Sequence, residues 1–262
     1  MTNGHVRLSI GRYLEALDED ARAFRGAAGL GLAPEVPGCP DWTVADLVDH
    51  LAGVYQRRVA TIRLGAELPE GESEATRPAD VDLLAWFDSS YAELVHELTT
   101  RDPSEPTPTW WPGEQSMSFW YRRMAQETAV HRWDAQSAHG VARSIDADIA
   151  VDGIDEVLGW LTWPWDEFPE EEATDQVLRV STDGGAWSVT MEPTLVTVAS
   201  SGDGSGDGSG DGPGPAYDAL IMGTPSALLL HLWGRRGIEG VNDSGDPTTI
   251  RLFGERLALI TD

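Results

Sequence analysis

Glu127 and His131 stand four residues apart in Met124-Ala-Gln-Glu-Thr-Ala-Val-His-Arg-Trp-Asp134. At 3.6 residues per turn this spacing puts both side chains on one helix face, with Cβ atoms roughly 6 Å apart. A carboxylate oxygen and an imidazole nitrogen so placed can both reach one divalent ion at roughly 2.0–2.2 Å. Trp120, Met124, Ala135 and Ala138 share the face, so it points into a core. A carboxylate there is costly unless paired or coordinated, and a metal is the first partner to test. The plainer alternative is a hydrogen-bonded core histidine beside a paired glutamate.

A third ligand is offered by His50, in Asp41-Trp-Thr-Val-Ala-Asp-Leu-Val-Asp-His50. Thr43 and Asp46 form a capping-box pattern that starts a helix. Leu47, His50 and Val54 then recur at spacings of three and four, placing the histidine on an inward stripe. Three protein ligands with an open fourth position is the pattern of a catalytic zinc site. Of the other histidines, His96 borders an apolar stripe, His139 ends a helix beside Gly140, His5 is near the start, and His231 lies in a leucine run. Asp134, one turn beyond His131, reads as an orienting group or as an exposed ion-pair partner. Cys39, the sole cysteine, reads as a packed residue in a Pro-flanked turn in preference to a thiol nucleophile or fourth ligand.

Four helical patterns must position these residues. Ile10, Leu14, Leu17, Ala21 and Phe24 set the first, and the Thr43 helix runs to about Leu64. Leu84, Phe87, Tyr91, Leu94 and Leu98 set the third, and the fourth runs from about Ser116 to His139. They predict an all-α four-helix bundle over 1–145, a frame whose facing helices commonly build metal sites. Over 146–262 the texture changes to a small α+β domain. A helix is expected over 151–163, strands over 177–181, 187–191, 195–198 and 217–222, and a helix over 227–233 with Pro225 opening it and Gly237 ending it. A last strand is expected near 250–253, before a short C-terminal helix. The Ser-Gly-Asp stretch 200–215 reads as a flexible loop inside this domain, since it has no apolar residue to bury.

Composition narrows the partners. Eighteen basic against 44 acidic residues give a formal charge of −26, which disfavours nucleic acid and anionic membrane. No run approaches the ~18–20 apolar residues of a membrane span, and one cysteine suits a reducing cytoplasm. The Ala/Gly/Asp/Arg-rich composition suggests a GC-rich genome. The eleven tryptophans are expected mainly in the cores.

Val36-Pro-Gly-Cys-Pro-Asp-Trp-Thr-Val-Ala-Asp-Leu-Val-Asp-His50 and Glu127-Thr-Ala-Val-His-Arg-Trp-Asp-Ala135 resemble the two metal-binding segments of the mycothiol-dependent maleylpyruvate isomerase family. The resemblance continues through Asp183-Gly-Gly-Ala-Trp187 and Leu228-Leu-Leu-His-Leu-Trp-Gly-Arg-Arg236. It implies a DinB-like helical domain holding a divalent ion, usually zinc, on His50, Glu127 and His131. It also implies a C-terminal domain, loosely sterol-carrier-like, with a substrate-assisting arginine at Arg235 or Arg236, of which Arg235 is taken as the candidate. The expected function is a metal- and thiol-dependent isomerase or S-transferase, with mycothiol as the low-molecular-weight thiol and a small electrophile as substrate. The alternative is a non-catalytic metal-binding or small-molecule-binding regulatory protein on the same frame.

Overall fold

The computed structural model describes residues 7–68, 78–163, 175–202, 216–235 and 239–261. The chain divides into two compact units, one of them Ser9–Arg143 and the other containing Ser144–Asp262. Among the described residues there are seven α-helices and one five-stranded sheet. None of these helices is long and apolar enough to cross a membrane.

In the first unit, α1 (Ile10–Ala28) starts at Ser9, whose side chain accepts from the Arg12 amide. It buries Tyr13, Leu17, Ala21 and Phe24. The Thr43–Asp46 capping box opens α2 (Val44–Leu64), and Gly65 closes it in the left-handed region. The α3 helix spans Leu83–Thr100 and α4 spans Met117–Ala138. α1 packs mainly along α4, and α2 along α3 with a further contact to α4. α4 is covered nearly all round, so its polar side chains need internal partners. Arg132 finds Asp20 at 2.8 Å and Gln136 at 3.0 Å, and Tyr121 donates to the Leu98 carbonyl.

A buried bond fixes the register of α2 against α4. Thr128 Oγ1 donates to the Met124 carbonyl at 2.7 Å, so the Tyr55 hydroxyl 2.6 Å away is the donor to Thr128. Burial, foremost, raises the Tyr55 pKa and keeps that phenol protonated. Thr128 follows Glu127 in the chain and Tyr55 lies five residues beyond His50, so this bond sets the height at which His50 meets α4.

A second anchor ties α2 to α3. Glu97, 7% exposed at its side chain, accepts from Arg63 Nε at 2.6 Å and from Arg101 Nε at 2.9 Å. Burial raises its carboxyl, but the two guanidinium groups outweigh this and hold it below the usual carboxylate range. A depressed folded pKa means the stabilisation is fully present above the unfolded carboxylate pKa. It is lost as pH falls through the folded value. Glu97→Gln is therefore expected to cost about 1–2 kcal/mol in urea unfolding at pH 7, discounted because Arg63 is half exposed. The difference should shrink below about pH 4. A deficit that stays constant with pH would show that the charge is not what matters.

In the second unit, α5 (Ala147–Trp160) leads to β1 (Gln176–Thr182), β2 (Gly185–Met191), β3 (Val196–Gly202), β4 (Ala219–Gly223), α6 (Pro225–Leu232), β5 (Val241–Gly245) and α7 (Pro247–Thr261). The sheet order is β3-β2-β1-β4-β5, with β1 and β4 parallel and the other pairs antiparallel. Alternate residues face the core: Leu178, Val180, Trp187, Val189, Met191, Ala219 and Ile221 are buried. α6 opens at Pro225 in its first turn, as expected.

One expectation fails. Residues 250–253 are not strand but lie within α7. The Asp246-Pro247 start decides it: Asp246 Oδ2 accepts from the Thr249 amide at 2.9 Å and the Thr249 hydroxyl at 2.8 Å, a helix cap that overrides the β propensity of the run. The last strand is instead β5, an exposed edge whose polar Val-Asn-Asp-Ser-Gly sequence carries no strand signal. The first predicted helix of this unit also begins earlier, at Ala147. Gly237, Arg236 and most of the 200–215 loop lie outside the described residues.

Candidate metal centre

α4 carries Glu127 and His131 on one face, and α2 brings His50 against them. His50 Nε2 lies 3.2 Å from Glu127 Oε1, and His131 Nε2 lies 3.3 Å from the same oxygen. The two imidazoles meet edge to face, with ring centroids 4.9 Å apart. One donor atom from each residue falls within 4.8 Å of the others. A tetrahedral ion with bonds of roughly 2.0–2.1 Å separates its ligand atoms by roughly 3.3–3.4 Å. Two nitrogens and a carboxylate oxygen at these separations fit a borderline divalent ion such as zinc without large rearrangement.

The three differ in exposure. The His131 side chain is 10% exposed, Glu127 17% and His50 35%. Leu47, Val48, Leu51 and Tyr55 form the fully buried stripe of α2, and His50 sits at its edge. The expected inward stripe through His50 and Val54 is thus only half buried. Beside His50 a concavity of ≈ 520 Å³ is lined by Asp41, Trp42, Asp46 and Asp49. The Trp42 indole packs on the His50 ring at 4.9 Å between centroids. A small molecule can therefore approach His50 from solvent.

Behind the donors lies a supporting set. Asp134 is fully buried, and its Oδ2 lies 3.0 Å from His131 Nδ1. This selects the orienting reading over an exposed ion pair. A carboxylate on Nδ1 fixes the ring and turns Nε2 toward Glu127 and His50, the usual outer-shell arrangement behind a ligating histidine. Arg123, one turn before Glu127 and itself buried, donates to Glu127 Oε2 at 2.9 Å. This bond leaves Oε1 for the two histidines. Sequence reasoning missed Arg123, although its i−4 spacing from Glu127 was an available signal.

Electrostatics follow from the cluster. Burial raises the Glu127 carboxyl, but His131, His50 and Arg123 outweigh it and hold it well below the usual range. Burial lowers the His131 imidazole, but Glu127 and Asp134 outweigh it and push it up to about 9. With no metal bound, His131 is thus an imidazolium clamped between two carboxylates.

The remaining candidates lie outside the set of His50, Glu127 and His131. Cys39 is half buried, with Sγ 3.6 Å from Asp134 Oδ2, so its thiol has a polar partner that a packing role does not supply. Arg235 belongs to the second unit. It is buried, and its Nη1 donates to the Trp233 carbonyl at 2.7 Å.

Comparison with known proteins agrees with the helical frame. Residues 13–136, which include His50, Glu127 and His131, match the mycothiol maleylpyruvate isomerase N-terminal domain. The crystal structure of a mycothiol-dependent maleylpyruvate isomerase is similar at 16% identity, over 94% of this chain and 97% of that one, with a TM-score of 0.61. A histidine-to-alanine mutant of such an isomerase gives 15% identity, the same coverage and a TM-score of 0.63. At these identities the likeness is one of fold. No curated protein matches the chain. Residues 13–136 thus carry the N-terminal domain of the mycothiol maleylpyruvate isomerase family.

Proposed function

We propose that this protein is a metal- and thiol-dependent enzyme, an isomerase or S-transferase acting on a small electrophile, with mycothiol as its thiol. The observation that carries the reading is the convergence of His50 Nε2 and His131 Nε2 on Glu127 Oε1, beside an open concavity. His50, Glu127 and His131 would hold the ion, zinc by preference, in a DinB-like four-helix bundle. A divalent ion held there would supply a positive centre that lowers the pKa of an added thiol.

The chain's own residues do the rest. Asp134 holds the His131 ring, Arg123 holds Glu127, and Trp42 braces His50. The half-exposed His50 edge admits a small thiol. Addition of that thiol to an activated double bond, rotation and loss of the thiol gives isomerisation. Displacement of a leaving group gives S-transfer. Arg235 is proposed as the substrate-binding residue of the second unit, and Arg235→Lys should lower kcat/KM while the metal content stays unchanged.

Turnover across a panel of electrophiles, with and without a small thiol, tests the proposal. Product should form only when both thiol and metal are present. Turnover undiminished without thiol would overturn the mechanism. A metal-loaded protein silent on every electrophile would favour the non-catalytic alternative.

Metal binding should also carry a proton signature. His131 lies above neutral pH when the ion is absent, so it is protonated at pH 7 and must lose that proton to ligate. Titration calorimetry in buffers of different ionisation enthalpy should show release of about one proton per ion at pH 7. Apparent affinity should climb as pH rises toward about 9. Affinity independent of pH over this range would exclude His131 as a ligand that starts protonated.

A further inference from the structure

The triad uses one nitrogen of His131, and the other nitrogen faces a different set of donors. Nδ1 lies 3.0 Å from Asp134 Oδ2, and that carboxylate oxygen lies 3.6 Å from Cys39 Sγ. One donor atom each from Cys39, His131 and Asp134 falls within 4.8 Å of the others. We propose that Cys39, Asp134 and His131 Nδ1 form a second cation site, one for thiophilic divalent ions, joined to the first through the His131 ring.

Three observations carry this. The first is spacing. A tetrahedral ion with a bond of roughly 2.3 Å to sulfur and 2.0–2.2 Å to oxygen sets those two atoms roughly 3.5–3.7 Å apart. The Cys39–Asp134 separation falls in that interval, and the His131–Asp134 pair needs to open by only a few tenths of an ångström.

The second is preorganisation. Cys39 is not on a loose segment. Its amide donates to the Val36 carbonyl at 3.1 Å, and its carbonyl accepts from the Trp42 amide at 3.1 Å. The Val36 amide closes the same turn on the Trp42 carbonyl at 2.8 Å. Asp134 and His131 come from one turn of α4, both buried. The thiol is half buried, so an ion can enter from its side.

The third is donor chemistry and charge. A thiolate with an imidazole nitrogen and a carboxylate selects zinc, cobalt or cadmium over magnesium or calcium. The Cys39 thiol and the His131 Nδ1–H would each give a proton to solvent as the ion enters. With both sites filled, the carboxylates of Glu127 and Asp134, the thiolate and the imidazolate give four negative charges against two dications. Arg123 remains on the outer oxygen of Glu127. This site goes beyond the proposed function and shares with it His131 and Asp134, the carboxylate that holds the His131 ring.

Cobalt(II) titration of the full-length protein, after chelation and dialysis, tests the proposal. Two equivalents should bind, and the weaker one should bring a thiolate-to-cobalt charge-transfer band in the near ultraviolet. Cys39→Ser should bind one equivalent without the band, while His50→Ala should keep the band and weaken the other site. Protection of the Cys39 thiol from alkylation by cobalt provides a readout that needs no variant, and protection of at least tenfold is expected. Saturation at one equivalent with no band and no protection would overturn the second site while leaving the triad standing. One equivalent with a full band, lost in Cys39→Ser, would uphold this site and count against the triad.

Discussion

His131→Ala is expected to strip the protein of its tightly held divalent ion. His131 supplies the most buried of the three donor side chains. Alanine also leaves Glu127 with one histidine and Arg123 in place of a closed set. Removing an outer-shell partner behind a ligand typically costs 10- to 100-fold in affinity. Removing the ligand itself should cost more than about 100-fold. Chelator competition on wild type and variant measures the difference, with circular dichroism showing that α4 is retained. An ion held as tightly by the alanine variant would remove His131 from the site.

Asp134→Asn carries the second-largest expected effect. The side chain is fully buried and its volume hardly changes, but the charge on His131 Nδ1 is lost. The asparagine amide can still accept one hydrogen bond, so the ring keeps a partner but loses basicity. Metal affinity should fall by about 10- to 100-fold. The His131 pKa in the metal-free protein should also drop, because Asp134 is one of the groups holding it up. An NMR titration of the imidazole reads that shift directly. Reduced metal affinity with an unmoved His131 pKa would mean that the substitution acts by distorting α4 and not through charge.

Much of this site was legible in the sequence. The Glu127/His131 spacing and the Thr43–Asp46 cap before His50 are local signals, and local signals survive folding because helix geometry is fixed by the backbone. The four helical spans follow from three-four apolar spacing for the same reason. What sequence could not supply was the height at which α2 meets α4. That depends on the Tyr55–Thr128 bond, between residues 73 positions apart. The Cys39–Asp134 contact spans 95 positions, and a turn residue carries no periodicity to show where it points. In the second unit, the polar edge strand β5 escaped because an exposed edge needs no apolar face. The Asp246-Pro247 cap outweighed the β-like run after it, a case in which a terminus signal decides the element.

The central claim, that His50, Glu127 and His131 hold one divalent ion that a small thiol reaches, has a single most direct test. The protein is purified with metal-free buffers, its ion content is measured by elemental analysis, and thiol-dependent turnover is followed as the ion is removed by a chelator and restored. The expected result is about one tightly held ion per chain, turnover that falls in proportion to its removal, and recovery on adding zinc. Wild-type protein with no tightly held ion, yet full thiol-dependent turnover in the presence of chelator, would contradict it.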